Sequence, residues 1–277
     1  MSKYENYTVT SKNYDKSRIV PTLDEIQRSL ETCAKTCQVP VERMILLDAG
    51  CGTGNYIEQV KDRVGEIYGL DLNKGMLEQA RKKFTNCPNV RLVRGSVTNI
   101  PFPDRSFHVA IANLVLHHLD DPNRQPRWEN LKNALSEIYR VLKPGGVFAI
   151  STTAPEQMEG YWWTELIPSA TQRMSSRLPK IEWLRTQLEA IGFQKIETIV
   201  SSQTYMPLDI YLDMEGPFKQ EFRDGDSTWS LATPEELKQG LDWLRRKIDS
   251  NEGESYLQQR EKLRRQLGQL TVLLAQK

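Results

Sequence analysis

The chain has 277 residues and a mass of 32.0 kDa, enough for one generous domain or one domain with a substantial cap. Hydrophobic residues make up 39% and charged residues 26%, an ordinary globular balance, and a formal net charge of +1 speaks against a dominant nucleic-acid footprint. Four cysteines without a CxxC pair and only three histidines carry no zinc signature; with apolar runs too short to span a bilayer, a soluble cytoplasmic protein with reduced thiols is expected.

Taken in order, the first half alternates regularly. Residues 44–49 predict a strand, 55–63 a helix, 66–71 a second strand and 74–84 a second helix. A third strand is predicted at 90–94, a fourth at 107–112 and a fifth at 147–151. Before the fifth, Leu131, Leu135, Ile138, Val141 and Leu142 recur at helical spacing until Lys143-Pro144-Gly145-Gly146 stops them. Such alternation implies an α/β, Rossmann-like, doubly wound and mostly parallel sheet with helices on both faces. Beyond Ser151 come a helix at 181–191, a long strand at 194–205 and a final strand at 270–276. The stretch 206–265 between the last two reads as an inserted helical cap, with Thr233-Pro234-Glu235-Glu236 as a capping box. An insertion of that size serves as a lid, a substrate cap or a dimer contact, so a homodimer through it is one expectation. The predicted organisation is a flap at 1–22, a core at 23–205, the cap at 206–265 and a final core strand at 266–277.

The most informative run is Leu46-Leu47-Asp48-Ala49-Gly50-Cys51-Gly52-Thr53-Gly54. An apolar strand ends in an acid and turns through three alternate glycines, which leave room for a ligand against the main chain. A dinucleotide turn needs a third small residue at a fixed spacing. Counted from Gly50 that position is Asn55, and from Gly52 it is Ile57, so both registers fail. A phosphate-binding Gly-Lys-Ser/Thr is absent as well.

The acidic-x-Gly-x-Gly-x-Gly pattern of Asp48, Gly50, Gly52 and Gly54 resembles the first motif of class I S-adenosylmethionine-dependent methyltransferases, among them the ubiquinone-biosynthesis-like small-molecule enzymes. Gly69-Leu70-Asp71-Leu72-Asn73, Gly95-Ser96-Val97, the run from Phe102 to Val109, Asn113-Leu114-Val115-Leu116-His117-His118-Leu119 and Leu142-Lys143-Pro144-Gly145-Gly146 follow in the family's order. The resemblance implies S-adenosylmethionine as cofactor. It implies that Asp71 accepts both ribose hydroxyls, that Leu72 and Met76 pack on the adenine, and that Asp48 orients the loop and holds the ammonium group. The three glycines border the methionine portion, and Asn113 joins the cofactor set. Ser96 stands where the family often has an acid for the adenine amino group, a departure, and Val97 contributes backbone and packing. Tyr14-Asp15-Lys16-Ser17-Arg18 resembles a flap in which Tyr14 covers the sulfonium and Arg18 binds the carboxylate; the alternative is a frayed terminus with a surface arginine.

Methyl transfer is an in-line displacement that needs a base only when the nucleophile must shed a proton. His118, with His117 beside it, is a candidate for that work or else part of the architecture. Trp162, Trp163, Tyr205, Tyr211 and Trp229 either wall an acceptor pocket or form the cap's core. Arsenic methyltransferases use several cysteines on this scaffold, but Cys33 and Cys37 precede the first strand. The expected function is methyl transfer to O, N or S of a small-molecule acceptor, without metal or membrane. The alternatives are a tRNA or protein methyltransferase and a non-catalytic cofactor-binding regulator.

Overall fold

A computed structural model describes residue 15 and residues 18–121, 123 and 127–277. Helix α1 (Leu23–Cys37) precedes strand β1 (Ile45–Ala49). Then follow α2 (Asn55–Val60), β2 (Glu66–Asp71), α3 (Lys74–Lys83), β3 (Val90–Arg94) and β4 (Phe107–Asn113). Helix α4 (Glu129–Val141) runs into β5 (Leu142–Thr152), and after α5 (Pro168–Ser175) come α6 (Ile181–Ile191) and β6 (Gln194–Ser201). Two long helices, α7 (Pro234–Asp249) and α8 (Gly253–Leu267), lead to β7 (Leu270–Gln276).

The seven strands form one sheet in the order β3-β2-β1-β4-β5-β7-β6. The first five are mutually parallel, and β7 lies antiparallel between β5 and β6. Strand order therefore reverses between β1 and β4, and a crevice opens there beyond the strands' carboxyl ends. Alternate residues of each strand feed opposite faces. Leu47, Ala110, Phe148 and Leu273 pack under α4 and α6. Leu46, Val109, Val147 and Val272 pack under α1, α2 and α3. Burial on both faces explains why β4 is apolar along nearly its whole length.

Three boundaries differ from the sequence expectation by more than one residue, the first being the helix expected at 55–63, which ends at Val60. The fifth strand starts at Leu142 rather than 147, because Phe107 pairs with Leu142 before a register shift brings Val109 opposite Val147. Gly145, at φ 78°, and Gly146 then exchange backbone hydrogen bonds with Lys277, at 2.9 Å each. The sixth strand ends at Ser201 rather than 205. Gln203 turns away to accept from the Thr22 amide at 2.8 Å, and Tyr205 and Met206 enter the cap.

The cap is also wider than 206–265. Residues 155–178, read from sequence as core, supply Tyr161, Trp162, Trp163, Leu166 and Met174 to a separate apolar cluster with Tyr211, Phe222, Trp229 and Leu244. Trp163 meets Trp229 at 5.2 Å and Tyr161 at 5.4 Å between ring centroids. Burying each such ring contributes about 4–6 kcal/mol in transfer terms, which holds two chain segments together as one unit. Gly240 fits α7 against the Leu166 carbonyl, where an added Cβ would lie 2.0 Å from the oxygen.

Candidate active site

The turn after β1 is built by main-chain contacts to β2. The amides of Gly50 and Cys51 both donate to the Leu70 carbonyl, at 2.7 and 3.0 Å. Gly50, Gly52 and Gly54 all have positive φ, at 87°, 54° and 83°, the left-handed region that glycine enters without strain. Their surroundings differ. A Cβ on Gly50 would meet Val115 at 2.5 Å and one on Gly54 would meet Phe84 at 2.4 Å, whereas one on Gly52 would meet nothing within 4 Å among the described residues. Gly52 therefore presents bare backbone to the crevice, and Gly54 is a packing glycine outside it.

Asp71, at the tip of β2, braces this turn. One carboxylate oxygen accepts from the Gly52 amide at 2.8 Å and the other from the Asn73 amide at 2.7 Å. Burial pushes its carboxyl up, and these two bonds oppose that. Asn73 caps α3 through the Met76 amide at 3.1 Å. The resulting cleft holds about 280 Å³ between Gly50, Gly52 and Asp71 on one wall and Asn113 on another. Leu72 and Met76 line it, as do Ser96 and Val97. The Ser96 hydroxyl is engaged with the Thr98 hydroxyl at 2.7 Å and accepts from the Thr98 amide.

Beside the cleft is a smaller cavity of about 60 Å³ lined by Arg18, Asp48, Gly50, Gly52 and Asn113. Asp48 is 1% exposed. One of its carboxylate oxygens and the Asn113 amide nitrogen are buried without a hydrogen-bond partner among the described residues. Burial, and secondarily the charge of Asp71, pushes the Asp48 carboxyl up to about 8. Tyr14 lies outside the described residues, but its neighbour Asp15 accepts from the Thr53 hydroxyl at 2.6 Å and pairs with Lys83 at 2.7 Å. The segment is pinned again where the Ile19 amide donates to the Tyr205 carbonyl at 3.0 Å.

A third cavity of about 40 Å³ lies toward the cap, lined by Arg18, His117, His118, Tyr161, Tyr205 and Asp226 among others. The Arg18 guanidinium stacks 4.5 Å from the Tyr205 ring centroid, and the Tyr205 hydroxyl donates to Asp226 at 2.6 Å. His117 and His118 touch ring to ring at 3.9 Å. Burial first, then the cations Arg18 and Arg177, holds His117 at about 3. His118 is pushed well down by burial, His117 and the same two cations. Both imidazoles are neutral at physiological pH and are weak bases, which suits hydrogen bonding to an acceptor better than removing its proton.

Leu114 joins the three cavities and lines each of them. Its φ of 53° is unusual for a branched apolar residue, and its amide is tied to the Ser151 carbonyl at 2.8 Å. Periodicity gives no sign of it, since backbone strain at a leucine leaves no compositional mark. Tyr161, the other residue missed from sequence, reaches the chamber through cap packing.

Residues 47–150 match the family model described as a methyltransferase domain. A demethylmenaquinone methyltransferase of Geobacillus is 28% identical over 63% of this chain and 75% of its own length. The biotin biosynthesis bifunctional protein BioHC of Teredinibacter turnerae is 37% identical over 41% of this chain, but the match spans only 20% of that longer protein. Over residues 47–150 the chain carries a methyltransferase domain of the class I, S-adenosylmethionine-dependent kind. A crystal structure from Anabaena variabilis, described as a methyltransferase from an antibiotic biosynthesis pathway, has this methyltransferase fold. Its TM-score is 0.70 at 20% identity, covering 90% of this chain and 96% of that one.

The residues of the methyltransferase crevice fit that family's cofactor. The unpartnered Asp48 oxygen suits an ammonium group, and the open space at Gly52 suits a ligand lying on the backbone. On the acceptor side, only one of the aromatic residues read as pocket walls lines the chamber, namely Tyr205. Trp162 is 1% exposed and donates to the Tyr211 carbonyl at 2.5 Å. Tyr211 and Trp229 pack in the same cap cluster as Trp163. These four stabilise the cap because its two chain segments share no sheet and depend on interlocked rings. Cys33 and Cys37 lie 3.5 Å apart against the carbonyls of His108 and Pro144, and neither lines any of the three cavities.

Proposed function

We propose that this protein transfers a methyl group from S-adenosylmethionine to an O, N or S atom of a small-molecule acceptor held between the tip of β4 and the cap. The observation that carries this reading is the meeting of three cavities at Leu114: a long cleft, a short extension ending at buried Asp48, and a chamber under the cap. A nucleoside in the cleft and an amino-acid tail in the extension would leave the junction for the reacting carbon. When bound, the cofactor supplies an electrophilic methyl on a sulfonium with a good leaving group.

The residues of the chain then bind, orient and exclude water. Asp71, still able to accept at its remaining lone pairs, would hold ribose hydroxyls, with Leu72 and Met76 against the base. Asp48 would take the ammonium and Arg18 the carboxylate. Ser96 offers a neutral polar contact where an acid is common, and its engagement with Thr98 makes the Val97 backbone the firmer partner. Alignment of nucleophile, methyl and sulfur while the cap keeps water out can supply much of the rate. Neutral His118, which lines both cleft and chamber, would accept or donate a hydrogen bond to orient the nucleophile.

The test is calorimetric binding of S-adenosylhomocysteine, followed by transfer of labelled methyl into a metabolite extract. The wild type should bind, Asp71→Ala should bind roughly 100-fold more weakly through loss of charge-assisted hydrogen bonds, and one small-molecule fraction should take up label. Equal affinity in the two proteins would refute the ribose role. Binding without any labelled product would favour a regulator that holds the cofactor without turnover, and label confined to RNA or protein would redirect the acceptor.

A further inference from the structure

The chamber under the cap is too small to hold a metabolite. Its volume of about 40 Å³ is close to the ~30 Å³ that one water occupies in the liquid, while small-molecule sites run from about 300 to 1,000 Å³. The cofactor cleft on one side is spoken for. On the other side, Met158 and Leu178 form a wall that belongs to two cavities at once: they line the chamber and also a groove of about 680 Å³ on the outer surface. Both residues are nearly buried, at 3% and 4% exposed. Methionine and leucine can change rotamer without breaking any hydrogen bond, and the thioether in particular adapts to a passing ligand.

The groove has a definite chemical character. The indoles of Trp128 and Trp183 line it, 5.7 Å apart between centroids. Arg127 lies over Trp128 at 4.7 Å and is fixed by donating to the Ser176 carbonyl at 2.7 Å. Among the described residues of the groove Lys180 is the second cation and Glu159 the only acid. An apolar wall of two adaptable side chains thus separates the chamber from aromatic sides with an excess of positive charge.

We propose that this groove is the distal half of the acceptor site, and that the acceptor is elongated. Its methylated atom sits in the chamber, an apolar segment passes between Met158 and Leu178, and an anionic group, phosphate or carboxylate, is held at Arg127 and Lys180. The inference rests on the methyltransferase reading for the position of the reacting atom. It adds the shape and charge of the molecule that reaches it.

Alkyl anions of graded length are the probes, used on the full chain with saturating S-adenosylhomocysteine. Octyl phosphate should bind at least about tenfold tighter than butyl phosphate, since each methylene that enters apolar space adds to affinity, and inorganic phosphate should bind more weakly than either. The double variant Arg127→Ala/Lys180→Ala should weaken octyl phosphate at least about fivefold through loss of its charged partners. It should leave S-adenosylhomocysteine affinity unchanged. Octanoate in place of octyl phosphate tells which anion is preferred, and octanol should bind worst of the three eight-carbon probes. Met158→Trp, which fills the passage, should bring octyl phosphate down to the affinity of butyl phosphate. A variant that still binds S-adenosylhomocysteine has kept its fold.

Equal affinities for butyl and octyl phosphate in the wild type would overturn the proposal. So would an octyl phosphate affinity indifferent to the double variant, or one indifferent to Met158→Trp. Failure of the wild type to bind S-adenosylhomocysteine would instead overturn the methyltransferase reading beneath it.

Discussion

Asp48 is the residue whose chemistry is most altered by its place in the fold. An aspartate in an unfolded chain ionises near 3.9, but burial, with the Asp71 charge adding to it, carries this carboxyl to about 8. Between roughly pH 4 and 8 the folded state therefore holds a proton that the unfolded state has lost. The contribution of Asp48 to stability then falls as pH rises through that window and levels off above it. An ammonium group at its unpartnered oxygen favours the ionised form, so cofactor binding should expel the proton. Calorimetry of S-adenosylhomocysteine binding at pH 7, in buffers of different ionisation enthalpy, should register release of close to one proton, fading above pH 8. Asp48→Asn should remove most of that release, weaken binding about tenfold or more, and raise the stability of the cofactor-free protein at pH 7. An unchanged proton count in the variant would show that the ammonium does not meet Asp48. Asp48 was legible in the sequence as the acid before a glycine turn; its protonation was not, because that depends on how completely the neighbouring strands exclude water.

At the scale of the element, the turn from β1 to α2 separates two glycine requirements that the sequence writes identically. At Gly50 a side chain would strike Val115 on the β4 side, so Gly50→Ala should lower both stability and cofactor affinity, the first by about 2–3 kcal/mol from overpacking and left-handed strain. At Gly52 a side chain meets nothing within 4 Å among the described residues, so Gly52→Ala should cost only the left-handed strain of about 1–2 kcal/mol and yet abolish detectable binding of S-adenosylhomocysteine. Thermal melts and calorimetry on the two variants check this. Equal stability losses, or retained binding in Gly52→Ala, would contradict the assignment. The elements themselves were largely readable. Glu66–Asp71, Val90–Arg94, Ile181–Ile191 and Leu270–Gln276 have the bounds their residue patterns suggest, since each has an uninterrupted local period and a turn signal at its end. The fifth and sixth strands did not, because their true ends are set by partners distant in the chain, Phe107 for one and Thr22 for the other.

Over the whole molecule, a doubly wound sheet builds the cleft and an interlocked apolar cluster covers the chamber proposed for the acceptor. The join between the cap's two segments is narrow at Gly240, where α7 rests on the Leu166 carbonyl. Gly240→Val should therefore destabilise the protein by about 3 kcal/mol or more. It should loosen the chamber while leaving cofactor affinity within about twofold, because the cleft is lined from the ends of β1, β2, β3 and β4 and not from the cap. Limited proteolysis should cut the variant first within 206–267, and a loss of cofactor binding equal to the loss of cap protection would show that the two halves fold as one.

The sequence by itself determined the alternating architecture, the acid-and-glycine turn, Asp71 and hence the cofactor. These signals are local: a strand, its turn and the next helix are neighbours in the chain, and the chemistry needs them in that order. Only the tertiary structure decided the chamber proposed for the acceptor. Arg18, Leu114, Tyr161, Tyr205 and Asp226 come from five separate stretches and meet because the sheet and the cap bury against each other. Trp162, Tyr211 and Trp229 have the composition of a binding pocket, but the same apolar surface that suits a ligand also suits a core. The residues that face them across the fold decide which, and these aromatics face one another.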